Sequence, residues 1–123
     1  MVNPNPFDPQ QSNINNFKII EVNANSLVSV VKRHNLDIFI NKHKPDALIV
    51  CETHLNIRHN FKLAGYNIIR TDRKCNRRGG GTAIIINNHF NYTHIHTSTL
   101  DLGNAEITAI KINLINNTSI FLI

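Results

Sequence analysis

The sequence is poor in cysteine, in long apolar runs and in acidic residues. Its 123 residues include two cysteines, Cys51 and Cys75. They are too few and too far apart for a disulfide framework or a zinc site. Cys51 lies inside an apolar run and reads as a small core residue. No apolar run approaches the ~20 residues needed to cross a bilayer. The N-terminus lacks a basic stretch followed by an apolar one, so no secretory signal is read there. These absences make an intracellular, reducing location the default. Eight acidic residues stand against thirteen lysines and arginines, for a formal charge of +5. That balance suits a phosphate-rich partner but is also common in ordinary domains.

What is present is the composition of one small globular domain. The hydrophobic fraction is 41% and the charged fraction 17%, which excludes a disordered chain. Residues 1–16, MVNPNPFDPQQSNINN, contain three of the four prolines and five asparagines. They read as a flexible leader. The domain is expected over residues 17–123.

Phe17 to Val22 is mostly β-branched or aromatic and reads as a strand. Asn25 or Ser26 is expected to cap a helix, because a short side-chain oxygen accepts an orphan backbone N–H. Leu27, Val28, Val31, Ile38 and Phe39 fall near helical spacing. The helix is expected to end by Lys44, since Pro45 disfavours helical geometry before it. Ala47 to Cys51 is a continuous apolar run and reads as a strand buried on both faces. A right-handed crossover lays these two strands parallel. Their carboxyl ends then share one edge of the sheet, where ligands gather in open α/β sheets. Asn23 and Asn25 follow the first strand, and Glu52 follows the second.

Beyond Glu52 the chain reads as short strands: Tyr66–Arg70, Thr82–Ile86, Phe90–Thr97, Glu106–Leu114 and Ser119–Ile123. Turn residues between them predict antiparallel pairing. Asp72 to Gly81 is a polar, basic, glycine-rich loop. Its Gly79–Gly81 run lacks the lysine of a phosphate-binding P-loop and reads as a tight turn into the strand at Thr82. The run ending at Ile123 has no turn, cap or polar tail after it and reads as a chain cut in mid-strand.

Four pieces in fixed order, FKIIEVNANSL, PDALIVCETHL, FKLAGYNIIRTDR and RRGGGTAIIIN, carry a resemblance that covers roughly Phe17 to Ile123. The sequence resembles the endonuclease/exonuclease/phosphatase superfamily, whose members include exonuclease III, abasic-site endonucleases and DNase I. Within it the sequence is most similar to the endonuclease domain of jockey-type non-LTR retrotransposons. The resemblance implies an α/β fold: the N-terminal half of a four-layered, DNase I-like α/β sandwich. It implies phosphodiester cleavage with Mg²⁺ (or Mn²⁺), and a target DNA duplex as partner. It also implies nicking that primes a reverse transcriptase encoded downstream in the same element, and a nuclear place of action. Asn23 matches the family's first active-site asparagine, Asn25 a position that helps at the metal, and Glu52 the metal-binding glutamate. Val22 stands where the family commonly has tryptophan. The family's tyrosine, its Asp-x-Asn pair and its final Ser-Asp-His match no residue of this sequence.

The residue chemistry agrees with that implication. Mg²⁺ prefers hard oxygen ligands, often one or two carboxylates with water and substrate phosphate. Glu52 supplies one carboxylate, and the side-chain amides of Asn23 and Asn25 can hold water or phosphate oxygens without adding repelling charge. A base for the attacking water is missing, and losing one costs roughly 10²–10⁴-fold. The chain alone is therefore expected to be inactive or nearly so. Arg70, Arg73, Lys74, Arg77 and Arg78 form the densest basic cluster, which reads equally as a set of DNA phosphate contacts and as a merely solvated loop. His94 and His96 share one face of a strand; they could pair at a metal, but a surface or half-buried role is the reading preferred for them. His54 sits beside Glu52 and is a candidate substrate contact. A non-catalytic remnant with a basic nucleic-acid-binding surface is the alternative reading. A branch acting on lipid or sugar phosphates is a third, against which the RTDR and RRGGG stretches argue.

Overall fold

A computed structural model of the chain describes residues 16–74, 79–97 and 105–123. Cys75, Arg77, Arg78 and nearly all of the expected leader lie outside these residues. Among the described residues there are one α-helix and seven strands in two sheets, a mixed α/β arrangement.

The first unit is strand–helix–strand, as the residue pattern predicts. Strand β1 (Ile19–Asn23) pairs in parallel with β2 (Ala47–Cys51), and helix α1 (Val30–His43) connects them. The helix starts later than expected. Its N-cap is Ser29, whose Oγ accepts the Lys32 N–H at 3.1 Å. Asn25 and Ser26 hold left-handed backbone, φ 45° and 84°, whereas an N-cap residue normally has extended backbone. Their segment instead stays hydrogen-bonded to the chain leaving β2. Ala24, Ser26 and Leu27 donate to the carbonyls of Cys51, Glu52 and Thr53 at 2.8–2.9 Å. Leu27 and Val28 therefore precede the helix rather than belonging to its face. The end agrees with expectation: Lys44 adopts left-handed backbone, donates to Ile40 O at 2.7 Å, and Pro45 follows.

Strands β3 (Tyr66–Thr71) and β4 (Thr82–Asn87) complete the first sheet, in the order β1-β2-β4-β3. β4 runs antiparallel to both neighbours. Strands β5 (Asn91–Ile95), β6 (Ala109–Asn113) and β7 (Ser119–Leu122) form a second, antiparallel sheet in sequence order. Asn116 and Asn117, both with positive φ, turn the chain between β6 and β7. β5, β6 and β7 are shorter than their sequence runs predict, whereas β3 and β4 each extend one residue further. Glu106 stands three residues before β6, and His96 falls one residue after β5.

The first sheet is the middle of three layers. β4 shows how: its four buried residues alternate between two cores. Ala83 and Ile85 pack with Leu36 and Ile40 of the helix and with Leu48 and Val50 of β2. Ile84 and Ile86 pack with Ile110, Ile112 and Leu122 of the second sheet. Burying each of these valine, leucine and isoleucine side chains contributes on the order of 1.5–3 kcal/mol, and Ala83 contributes less. A run of consecutive apolar residues is what a strand covered on both faces requires.

Candidate functional site

The ends of all four central strands meet at one rim. Register places Asn23 opposite Cys51, Cys51 opposite Thr82, and Thr82 opposite Thr71. Glu52 is the next residue after β2. The chain enters β4 through Gly79–Gly81 and leaves β3 through Asp72 and Arg73. From the second sheet, Thr108 Oγ1 lies 2.8 Å from both Thr71 Oγ1 and Thr82 Oγ1. That hydroxyl cluster fixes the second sheet, and with it Glu106, against the same rim.

The backbone here is unusual. Of the seven described non-glycine residues with positive φ, four are Asn25, Ser26, Glu52 and His54. Such residues cost on the order of 1–3 kcal/mol each and persist where the surroundings over-determine them. The surroundings do so here. Ser26 and Leu27 donate to the carbonyls of Glu52 and Thr53, while Thr53 and His54 donate to the carbonyls of Gly81 and Gly80. The segment carrying Glu52 is thus held from both sides.

Glu52 is pinned at its side chain as well. Its Oε2 lies 2.9 Å from His54 Nε2 and accepts the Gly80 N–H at 3.2 Å. The His54 contact is the largest cause holding the Glu52 carboxyl below the ordinary glutamate range, with the Gly80 N–H next. For that contact His54 carries its proton on Nε2, a tautomer assigned from the geometry. Among the described residues Oε1 has no hydrogen-bond partner, and almost half of the side chain is exposed. Asn23 turns its Oδ1 onto the Asn25 N–H at 3.0 Å, and the Asn25 carbonyl accepts from Lys32 Nζ. The Asn25 side chain stands exposed.

Three successive glycines make this closeness possible. Gly79, Gly80 and Gly81 have φ of 95°, 69° and 85°. A Cβ on Gly80 would run into the Arg73 guanidinium, and one on Gly81 into Thr53 Oγ1. The run turns into β4, as expected, and it also delivers a backbone donor to each of two carboxylates. The second is Glu106, whose Oε2 accepts the Gly81 N–H at 3.4 Å. Arg73 reaches Glu106 with Nε at 2.5 Å and Nη2 at 3.4 Å. This charge-assisted pairing is the main cause holding the Glu106 carboxyl low.

The basic cluster does not form one open surface among the described residues. Arg70 pairs with Asp72 Oδ2 at 3.3 Å and donates to the carbonyls of Asn56 and His59. Arg73 is engaged with Glu106. Lys74 is exposed, and Arg77 and Arg78 lie outside the described residues. No local sequence signal marks Glu106, because Arg73 lies 33 residues away.

Among the described residues no three His, Cys, Asp or Glu side chains gather where they could hold a metal. Glu106 is taken up by Arg73, Glu52 has one carboxylate oxygen left over, and the exposed Asn25 amide stands on the adjoining loop. That donor set fits a hydrated hard cation that takes most of its ligands from water and phosphate. It does not fit a cation needing a full protein cage. No helix of the described residues is long and apolar enough to cross a membrane. Among known proteins, the chain matches no family model and no curated protein.

Proposed function

We propose that the chain is the N-terminal half of a Mg²⁺-dependent, DNA-nicking endonuclease domain of the non-LTR retrotransposon kind, with a DNase I-like sandwich as its full form. The observation that carries this reading is the rim. A parallel β1–α1–β2 unit sets Asn23 beside the residue preceding Glu52, and Glu52 is held rigid with one carboxylate oxygen available. A nuclear place of action and a reverse transcriptase partner go with this reading.

In this reading Glu52 Oε1 and Asn25 hold the ion, and Mn²⁺ can replace Mg²⁺. When bound, the ion offsets the charge that develops on the phosphoryl oxygens. His54 and the Gly80 amide fix the Glu52 carboxylate in one orientation. Glu52 is ionised across the neutral range as an ordinary glutamate is, and the His54 and Gly80 contacts extend that range toward acid. The Asn23 and Asn25 amides add polarity without adding repelling charge. None of the residues assigned by resemblance is a base for the attacking water. Turnover by this chain alone is accordingly expected to fall roughly 10²–10⁴-fold or more below that of a complete site.

Two measurements on the full chain test the reading. Mn²⁺ titration followed by NMR should broaden signals from Glu52, Asn23 and Asn25, and Glu52→Gln should remove that broadening. Broadening that is absent, or that survives in the variant, overturns the metal assignment. Supercoiled plasmid should show at most slow, metal-dependent nicking that Glu52→Gln abolishes. Salt-sensitive DNA binding with no metal effect favours the non-catalytic alternative.

A further inference from the structure

We propose that His94 and His96 form a two-histidine site for a divalent transition-metal ion of the Zn²⁺, Ni²⁺ or Cu²⁺ kind, separate from the rim. The two imidazoles lie side by side, with ring centroids 4.8 Å apart and planes tilted by 42°. Residues i and i+2 of an extended chain point to the same face. Two nitrogens each about 2.0–2.1 Å from one ion sit roughly 3 Å apart. Rings at this separation reach that spacing by small side-chain rotations.

The backbone beneath the pair is fixed on both sides. Thr93, His94 and Ile95 pair in register with Lys111, Ile110 and Ala109 of β6. Just beyond His96, the Thr97 hydroxyl donates to Ile107 O at 3.4 Å. The backbone carrying the pair is therefore already ordered before an ion binds, and the remaining cost is that of fixing two side chains. Among the described residues neither His94 nor His96 uses a ring nitrogen in a hydrogen bond or ion pair. His54 is otherwise engaged, on Glu52, and His59 Nδ1 accepts the Asn56 N–H. β5 is an edge strand, and both side chains are exposed, so an ion has access and water can complete its coordination. Imidazole suits Zn²⁺, Ni²⁺ and Cu²⁺, whereas Mg²⁺ takes oxygen ligands. The two metal sites on this chain thus differ in ligand chemistry, and neither inference depends on the other.

Calorimetric titration of the full chain with ZnCl₂ and NiCl₂ at neutral pH tests this proposal. One ion per chain is expected, with excess MgCl₂ failing to compete. His94→Ala and His96→Ala should each weaken binding by on the order of tenfold or more, since a second tethered ligand acts at high effective concentration. No binding by the unaltered chain overturns the proposal, and so does binding unchanged in both variants. If a variant fails to fold by circular dichroism, Cu²⁺ titration of the unaltered chain decides instead. Broadening of the His94 and His96 imidazole signals supports the site, and broadening centred on other histidines overturns it.

Discussion

His54 Nε2 lies 2.9 Å from Glu52 Oε2, two residues away, and both residues hold left-handed backbone, with φ of 55° and 57°. Residues i and i+2 of an extended strand stand on one face about 6.6 Å apart. Here the strand has ended, and the two left-handed residues let the imidazole fold back onto the carboxylate. The contact is built by backbone conformation that local preference opposes and that neighbouring segments enforce.

Removing the imidazole should release the Glu52 carboxyl. In His54→Ala its pKa is expected to rise toward the ordinary glutamate range, because the largest cause of the depression is gone. His54→Gln, which keeps a donor, should restore part of the shift. Titration of the Glu52 side-chain carbon by NMR reads both. An unchanged value in His54→Ala would show that the Gly80 amide suffices.

Acid should destabilise the fold through two carboxylates. The pKa values of Glu52 and Glu106 both lie below 4.5 when folded. A depressed folded-state value contributes stability that is present above the unfolded pKa. That contribution is lost as pH falls from there through the folded pKa. Urea midpoints should therefore be flat near neutrality and drop below about pH 4.5. The drop should be shallower in Glu106→Gln, whose own neutral-pH midpoint is lower because Arg73 has lost its charged partner.

Gly81→Ala should destabilise by roughly 1–3 kcal/mol, the cost of a left-handed non-glycine residue. The added Cβ would also press on the hydroxyl of Thr53, which is fully buried. Gly65 also has positive φ, but no atom lies near its would-be Cβ. Gly65→Ala should therefore bear only the backbone part. Urea denaturation of the two variants separates the terms.

Ile112→Ala should cost about 2–5 kcal/mol, because the side chain is fully buried between the sheets and its loss leaves a cavity. Val30→Ala, on a helix position that is 73% exposed, should stay within about 0.5 kcal/mol. Equal costs at the two sites would contradict the three-layer packing.

The sequence by itself determined the parts that depend on neighbouring residues. Apolar runs of strand length, Pro45 after a helical pattern and the turn residues between later strands predicted the strand–helix–strand unit and the antiparallel strands after it. The parallel pairing followed from chain handedness, and it placed Asn23 and Glu52 at one edge. The helix start was not legible. Asn25 and Ser26 are good capping residues, yet the Ser26 and Leu27 amides are drawn to the carbonyls of Glu52 and Thr53 and the Asn25 amide to Asn23 Oδ1, and Ser29 takes the role. Tertiary structure alone decided which polar groups meet. Glu106 joins Arg73 across 33 residues, Arg70 turns inward to Asn56 and His59, and three glycines bring backbone amides onto two carboxylates. Local pattern reports which face a residue occupies. The partner it meets there depends on how the layers stack, because hydrogen bonds and ion pairs act only over a few ångströms.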